Sequence, residues 1–245
     1  MAKEFTIVIP TFNETSRGSH EYWNELIEKI DANFIFVDDG SNDGTSEHLQ
    51  KYEKNKKVSV IRHLENKGKA EAIRSGIRQS LISQSNGLVA YLDADGAFTS
   101  AEVKRIMDLS LYQINIGNFD SIWTSRVKLS GRSINRRKLR HFVGRTISSL
   151  FGVFEENLPY DTQSGYKVFK VSWELELSVA EAFDTRWFFD IELIMRLKKI
   201  KPEYRIREET LEEWYEIGNS SIRTKHYLGI LREIIKIIGK LNRGS

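Results

Sequence analysis

The sequence predicts an α/β protein with a mostly parallel, doubly wound sheet flanked by helices. Short β-branched and aromatic runs alternate with segments whose apolar residues recur at helical spacing. Each strand and helix together take about 25 to 35 residues, which suits parallel βαβ units. The chain has 245 residues, 40% of them hydrophobic and 29% charged, which is enough for one domain with an ordinary core.

The first half of the chain contains four predicted strands with three helices between them. The strands are the runs FTIVIP, NFIFVDD, VSVIRHL and GLVAYLDAD. The helices are expected in HEYWNELIEKI, at about residues 46–54 and in KAEAIRSGIRQSLI. Because polar residues follow each strand, the carboxyl ends of the strands are expected to form one ligand-binding edge.

The second half is less regular. A strand, FDSIWTSRV, leads into a basic segment, and a helix is expected at about residues 136–151. Three further segments are expected to form a turn with a short strand, an amphipathic helix that ends before Pro202, and a strand with a loop: LPYDTQSGYKVFK, WFFDIELIMRLKKI and EEWYEIGNSS. The last segment, YLGILREIIKIIGKL, has a helical pattern.

Several classes of protein are disfavoured. The chain has no cysteine, so it can form neither disulfides nor thiolate metal sites. Its N-terminus is too short and polar for a secretory signal, and no apolar run reaches the ~18 residues of a membrane span. We therefore expect a cytoplasmic protein that is soluble or peripheral to the membrane. Neither G-x-G-x-x-G after the first strand nor G-x-x-x-x-G-K-[ST] occurs, and the five histidines show no metal-ligand spacing.

Pairs of aspartates end two of the predicted strands. Asp93 and Asp95 are two apart and can face one site, where a divalent cation would relieve their repulsion. Oxygen ligands suit Mg²⁺ or Mn²⁺, although such a pair also occurs in helix caps and turns. Asp38 and Asp39 could accept hydrogen bonds from a nucleotide base or ribose, or could form an Asx turn before Gly40.

A basic segment follows the fifth predicted strand. No acidic residue occurs from Ser121 to Phe154, where eight basic residues fall: Arg126, Lys128, Arg132, Arg136, Arg137, Lys138, Arg140 and Arg145. Such a block attracts an anion such as phosphate, nucleic acid or an acidic membrane surface, or forms a solvated helix face. The acids clustered elsewhere argue against a nucleic-acid partner.

The ordered motifs resemble those of glycosyltransferase family two, whose members share the GT-A nucleotide-sugar fold. The motifs are VIPTFNE, VDDGSNDGT, NKGKAEAIRSG and LDADGAF. Three later segments are similar to the dolichyl-phosphate glucosyltransferase and mannose synthase branch, the glucosyl type more closely: DTQSGYKVF, RWFFDIELI and WYEIGNSSI. The resemblance implies one GT-A domain at residues 1–222, followed by a C-terminal amphipathic basic helix at 223–245.

The resemblance also implies roles for individual residues. The expected nucleotide-sugar site comprises Pro10, Phe12, Glu14, Asp38, Asp39, Lys69, Asp93 and Asp95. Asp93 and Asp95 would also hold Mg²⁺ or Mn²⁺. The candidate catalytic acids are Asp161 and Asp190, and a second acid, Glu192, cannot share the helix face of Asp190. We assign the acceptor phosphate to Arg126, Arg136 and Arg140, because guanidinium groups match phosphate oxygens.

The function that this resemblance implies is inverting, metal-dependent transfer of a hexose from a nucleotide sugar to a polyprenyl phosphate. UDP-glucose is the expected donor of the glucose, and the transfer is expected to occur at the inner face of the membrane. A lipid phosphate is already ionised and needs little help from a base. The alternative acceptor is a sugar hydroxyl in glycan or polysaccharide assembly, which would require Asp161 or Asp190 as general base.

The C-terminal segment departs from the family pattern. Relatives often carry a lysine where this chain has Gly218-Asn219-Ser220-Ser221, and many carry membrane helices that are missing here. Instead, an apolar stripe with basic neighbours recurs at helical spacing: Tyr227, Leu231, Ile234, Ile238 and Leu241. The residues leave open whether this helix lies in a membrane interface, packs on the body of the protein or forms a homodimer.

Overall fold

A computed structural model describes residues 4–17, 19–84, 86–135, 158–217 and 227–241. In these ranges the chain forms a seven-stranded sheet with helices on both faces, and a two-stranded sheet beside it. The predicted fold class is confirmed. The helix expected at about residues 136–151 and the domain boundary expected at residue 222 lie outside the described residues.

The large sheet is mixed but mostly parallel. Its strands are β1 (Glu4–Thr11), β2 (Asn33–Asp38), β3 (Val58–Arg62), β4 (Gly87–Leu92), β5 (Ser121–Ser125), β7 (Tyr166–Lys170) and β8 (Ile206–Thr210). Their order is β3-β2-β1-β4-β7-β5-β8, and only β7 runs antiparallel to its neighbours. The short strands β6 (Ser133–Asn135) and β9 (Glu213–Tyr215) form the second sheet.

Seven α-helices occur in the described ranges, besides a short 3-10 helix at Thr15–Arg17. They are α1 (Ser19–Lys29), α2 (Thr45–Tyr52), α3 (Lys69–Ser83), α4 (Ser100–Asn115), α5 (Trp173–Ser178), α6 (Phe189–Ile200) and α7 (Tyr227–Leu241). Side chains cap the N-termini of α4 and α5. Thr99 accepts from Glu102 N (3.2 Å), and Ser172 accepts from Leu175 N (3.4 Å). None of these described helices has both the length and the apolar character needed to cross a bilayer.

The core consists of one apolar layer on each face of the sheet. Side chains alternate along β1, so Ile7 and Ile9 pack with α1 and α4 while Val8 packs with α3 and α6. The approach of α3 is close, because a Cβ at Gly76 would lie 2.2 Å from Cγ1 of Val8. Burial of each such isoleucine or valine contributes about 1.5–3 kcal/mol, which holds the strand ends in place.

Candidate active site

The carboxyl ends of β1, β2 and β4 lie at one edge of the sheet, and the order of the strands reverses between β1 and β4. Ligands of open α/β sheets bind outside the carboxyl ends of the strands at such a reversal. The antiparallel β7 begins at this edge, because Asp93 N donates to Gly165 O (2.8 Å). The loop before β7 therefore joins the residues that follow the parallel strands.

The Asp93 carboxylate is held from two sides. A Cβ at Gly165 would lie 2.1 Å from Oδ2 of Asp93, so only glycine leaves room for this carboxylate. On the other side, the ammonium of Lys69 forms an ion pair with Oδ1. Lys69 is the first residue of α3, and its side chain is 44% exposed.

Asp95 lies in the same cluster. Its Oδ1 accepts from Ala97 N (3.1 Å). Burial raises the pKa of Asp95, and the neighbouring charge of Asp93 raises it further. This electrostatic cost of two adjacent carboxylates is what a divalent cation would relieve.

Glu14 is held at the end of β1 by its own hydrogen bonds. Its carboxylate accepts from Arg17 Nη1 (2.9 Å) and Ser19 Oγ (3.1 Å), and its backbone N–H donates to Thr45 Oγ1 (2.9 Å). Burial raises the pKa of Glu14 in spite of the Arg17 charge, and Asp95 and Asp93 also contribute. The charges of Asp93 and Asp95 therefore act on Glu14 as well as on each other.

Two other expected nucleotide contacts lie on β1 and just beyond it. Pro10 is half-buried within β1, and Phe12 is 41% exposed. An exposed aromatic ring at the edge of a site can pack against a base.

Asp38 and Asp39 both accept backbone hydrogen bonds. Asp38 Oδ1 accepts from Ser41 N (3.0 Å). This hydrogen bond forms the turn at Gly40 that the sequence analysis gave as one alternative. Asp39 accepts from the N–H groups of Lys67 (2.9 Å) and Gly68 (2.7 Å). Since Gly68 precedes α3, Asp39 sets the position from which Lys69 reaches Asp93.

A histidine orients Asp39. Nδ1 of His63 lies 2.8 Å from Asp39 Oδ1, and Nε2 lies 3.0 Å from Ser75 Oγ. The histidine therefore links the end of β2 to α3.

Arg126 and Asp161 form a two-point ion pair. Nε and Nη2 of Arg126 each lie 2.7 Å from a different carboxylate oxygen of Asp161. The backbone N–H of Arg126 also donates to this carboxylate (3.0 Å), and Asp161 N donates to Glu208 Oε1 (2.8 Å). The guanidinium lies over the Trp214 ring at 5.3 Å. Nη1 of Arg126 has no hydrogen-bond acceptor among the described residues.

Asp190 lies beside a buried lysine that sequence reasoning missed. The Lys167 side chain is 0% exposed, and its Nζ donates to Asp190 Oδ1 (2.9 Å), Tyr91 Oη (2.6 Å) and Ser164 O (2.6 Å). Tyr91 also donates to Asp190. Burial lowers the pKa of Lys167, an effect that Asp190 opposes.

Glu192 belongs to a separate cluster. It accepts from Thr185 N (3.0 Å) and Arg196 Nη2 (3.0 Å). The expectation that Asp190 and Glu192 point apart agrees with these contacts. Arg136, Arg140 and the segment 218–221 lie outside the described residues, so their roles stay predictions.

The donor set fits a hard divalent cation. Among the described residues no group of three or more histidine, cysteine or acidic side chains forms a complete metal cage. Asp93 and Asp95 instead provide a pair of carboxylates at an open edge. Mg²⁺ and Mn²⁺ commonly bind through one or two carboxylates together with substrate phosphates and water.

A solved structure with a similar fold is glucosyl-3-phosphoglycerate synthase from Mycobacterium tuberculosis, in complex with Mn²⁺, UDP and glucosyl-3-phosphoglycerate. It has a TM-score of 0.67 and 16% identity, and the match covers 98% of this chain and 80% of that one. The sheet and its flanking helices therefore form a GT-A fold.

The chain belongs to glycosyl transferase family 2, whose family model matches residues 6–167. Among its relatives, the dolichyl-phosphate beta-glucosyltransferase of Mus musculus is 31% identical, over 90% of this chain and 70% of that protein. The enzyme of the same name from Saccharomyces cerevisiae is 28% identical, over 89% of this chain and 68% of that protein. The expected family and enzyme class are confirmed.

Proposed function

We propose that this chain transfers glucose from UDP-glucose to a polyprenyl phosphate, with inversion at the sugar and with Mg²⁺ or Mn²⁺ bound by Asp93 and Asp95. The enzyme would act as a peripheral protein at the cytoplasmic face of the membrane that holds its lipid acceptor. Several relatives named dolichyl-phosphate beta-glucosyltransferase support the acceptor class and the sugar. A structural neighbour crystallised with Mn²⁺, UDP-glucose and glycerol 3-phosphate supports the donor and the metal.

The ion pairs formed by the two candidate bases, Asp161 and Asp190, favour a phosphate acceptor over a sugar hydroxyl. A sugar hydroxyl must lose a proton during transfer, which requires a carboxylate that is available to take it. Asp161 is paired at two points with Arg126, and Asp190 is paired with Lys167. Each carboxylate is already held in an ion pair, which would be broken if the carboxylate took up a proton. An acceptor that arrives ionised, such as a phosphate, needs neither.

The remaining roles are stabilisation of the leaving group, binding of the acceptor and positioning of the groups that do so. A divalent ion at Asp93 and Asp95 would supply positive charge to the departing diphosphate. Nη1 of Arg126 is left over from the ion pair with Asp161 and can donate to the acceptor phosphate. Asp161 orients that guanidinium, while Lys167 and Tyr91 hold Asp190 at the edge of the site.

Transfer of radiolabelled glucose from UDP-glucose tests this proposal. We expect product with a short-chain polyprenyl phosphate, none with the matching polyprenol, and loss of activity with EDTA that Mn²⁺ or Mg²⁺ restores. Transfer to oligosaccharides alone would instead support a hydroxyl acceptor. Failure to use any UDP-sugar would contradict the proposed donor.

A matched pair of variants separates the metal site from general effects of charge. Asp95→Asn should lower kcat/KM by about 10²–10³-fold, because charge on the leaving group loses its stabilisation. Asp31→Asn removes a carboxylate that is 94% exposed and pairs with Lys57. We expect it to leave transfer unchanged.

A further inference from the structure

We propose that Lys69 acts as the resident counter-ion of Asp93 in the donor-free enzyme, and that it gives up this place when metal and sugar nucleotide bind together. Lys69 would thereby weaken the binding of a divalent ion alone and favour the binding of the ion with its nucleotide. This inference rests on the proposed function, because it assumes that Asp93 and Asp95 are metal ligands.

The first argument is the contact itself. The ammonium of Lys69 lies against Oδ1 of Asp93, and apart from it this oxygen has no hydrogen-bond partner among the described residues. Gly165 prevents the carboxylate from withdrawing on the other side. A divalent ion that binds Asp93 must therefore compete with the lysine for the same carboxylate.

The second argument is that Lys69 is able to leave. Its side chain is 44% exposed, whereas the Lys167 side chain, which pairs with Asp190, is 0% exposed. A partly exposed lysine on a flexible four-carbon stem loses little when it exchanges one anionic partner for another. Lys167 is enclosed by the protein and is a fixed part of the core, whereas Lys69 can move to another partner.

The third argument concerns the place of Lys69 at the N-terminus of α3. A cation in the first turn is disfavoured by the helix dipole, while an anion is favoured there. The pair with Asp93 offsets this cost when no substrate is present. Like-charge repulsion expels the ammonium when a divalent ion is bound, and a diphosphate at the same helix end provides the next partner.

Calorimetric titration of Mn²⁺ into the full chain tests the inference, first without nucleotide and then with saturating UDP. Without UDP, Lys69→Met should bind Mn²⁺ about three- to tenfold more tightly than wild type, since a half-exposed ion pair is removed. With UDP present this advantage should vanish or reverse, and UDP itself should bind more weakly to the variant.

Lys67→Met is the matched control, because its side chain is exposed and only its backbone N–H contacts Asp39. Its Mn²⁺ affinity should equal that of wild type under both conditions, and the melting temperature of each variant verifies folding. Equal Mn²⁺ affinity of Lys69→Met and wild type without UDP would overturn the inference and leave the proposed function standing. Failure of wild type to bind Mn²⁺ even with UDP would overturn the metal site itself.

Discussion

At the scale of single residues, the position of the Asp93 carboxylate depends on a glycine 72 positions further along the chain. The backbone N–H of Asp93 donates to Gly165 O, and the carboxylate occupies the space that a Cβ at residue 165 would take. The absence of a side chain at residue 165 is therefore part of the proposed metal site.

Gly165→Ala should abolish transfer while leaving the fold intact. The added methyl group would lie 2.1 Å from Asp93 Oδ2, and a carboxylate end can turn away more easily than the backbone can move. We expect the Mn²⁺ affinity measured with UDP to fall at least about tenfold, with a melting temperature close to that of wild type.

The control for this substitution is Gly229→Ala on α7, where a new Cβ meets nothing within 4 Å. It should change neither Mn²⁺ affinity nor transfer. Unaltered Mn²⁺ affinity in Gly165→Ala would show that the Asp93 carboxylate does not need its present position.

Sequence reasoning identifies candidate site residues when they directly follow a recognisable strand. Asp93 and Asp95 are in this class, because a buried apolar run ends just before them. Lys167 could not be found in this way. It lies within β7, where a lysine ordinarily indicates an exposed position, and only the tertiary pairing of β7 between β4 and β5 buries it against Asp190.

At the scale of secondary-structure elements, α1 and α2 meet through a pair of stacked histidines. The rings of His20 and His48 are parallel within 8° and their centroids are 3.4 Å apart. Nε2 of His48 lies 3.1 Å from Tyr52 Oη, which in turn donates to His20 O (3.2 Å). Two stacked imidazoles repel each other once both carry a proton.

Acidification should therefore destabilise the contact between α1 and α2. Burial lowers the pKa of both histidines below the ordinary value of 6.5, so the unfolded chain takes up protons first as the pH falls. The free energy of unfolding decreases as the pH drops below about 6.5. Melting temperatures at pH 7.5 and 5.5 measure this decrease.

The variant His48→Phe retains an aromatic ring on His20 but cannot take up a proton. Its melting temperature should fall less than that of wild type over the same pH range, by about 2 °C or more. An identical decrease in both proteins would assign the acid sensitivity to other groups.

The sequence predicts a secondary-structure element correctly where its local hydrophobic pattern is strong. Most residues of the strands β1 to β4 are apolar, and the sequence predicts all four. By contrast, β8 is half-buried and rich in charge, so its sequence IREET shows no strand pattern, and it is held by parallel pairing with β5. Similarly, the antiparallel direction of β7 depends on a long connection that local periodicity does not encode.

At the scale of the whole molecule, the C-terminal helix α7 packs on the body of the protein. Ile237 is fully buried in a cluster with Phe188 and Ile191. Glu233 accepts from the backbone N–H groups of Arg186 (3.0 Å) and Trp187 (2.8 Å). Of the three placements that the sequence left open, packing on the body is the one seen in the described residues.

The contacts of α7 extend to the proposed active site. Arg186, which α7 holds through Glu233, donates through Nη2 to Asn66 Oδ1 (2.5 Å) in the segment that leads into α3. Residues 186–188 also lead directly into α6 and Asp190. The C-terminal helix thus supports two of the segments that carry candidate site residues, although it follows the family match in the chain.

Glu233→Ala should therefore lower both stability and transfer. Loss of two charge-assisted hydrogen bonds to a partly exposed loop should cost about 1–2 kcal/mol of unfolding free energy, measured by urea denaturation. Because the loop also positions Asp190 and Asn66, kcat should fall several-fold even at temperatures where the variant is fully folded. Arg232→Ala, an exposed change on the same helix, should alter neither quantity. If Glu233→Ala lost stability but kept the kcat of wild type in the folded state, α7 would be a support for the fold alone, without influence on the site.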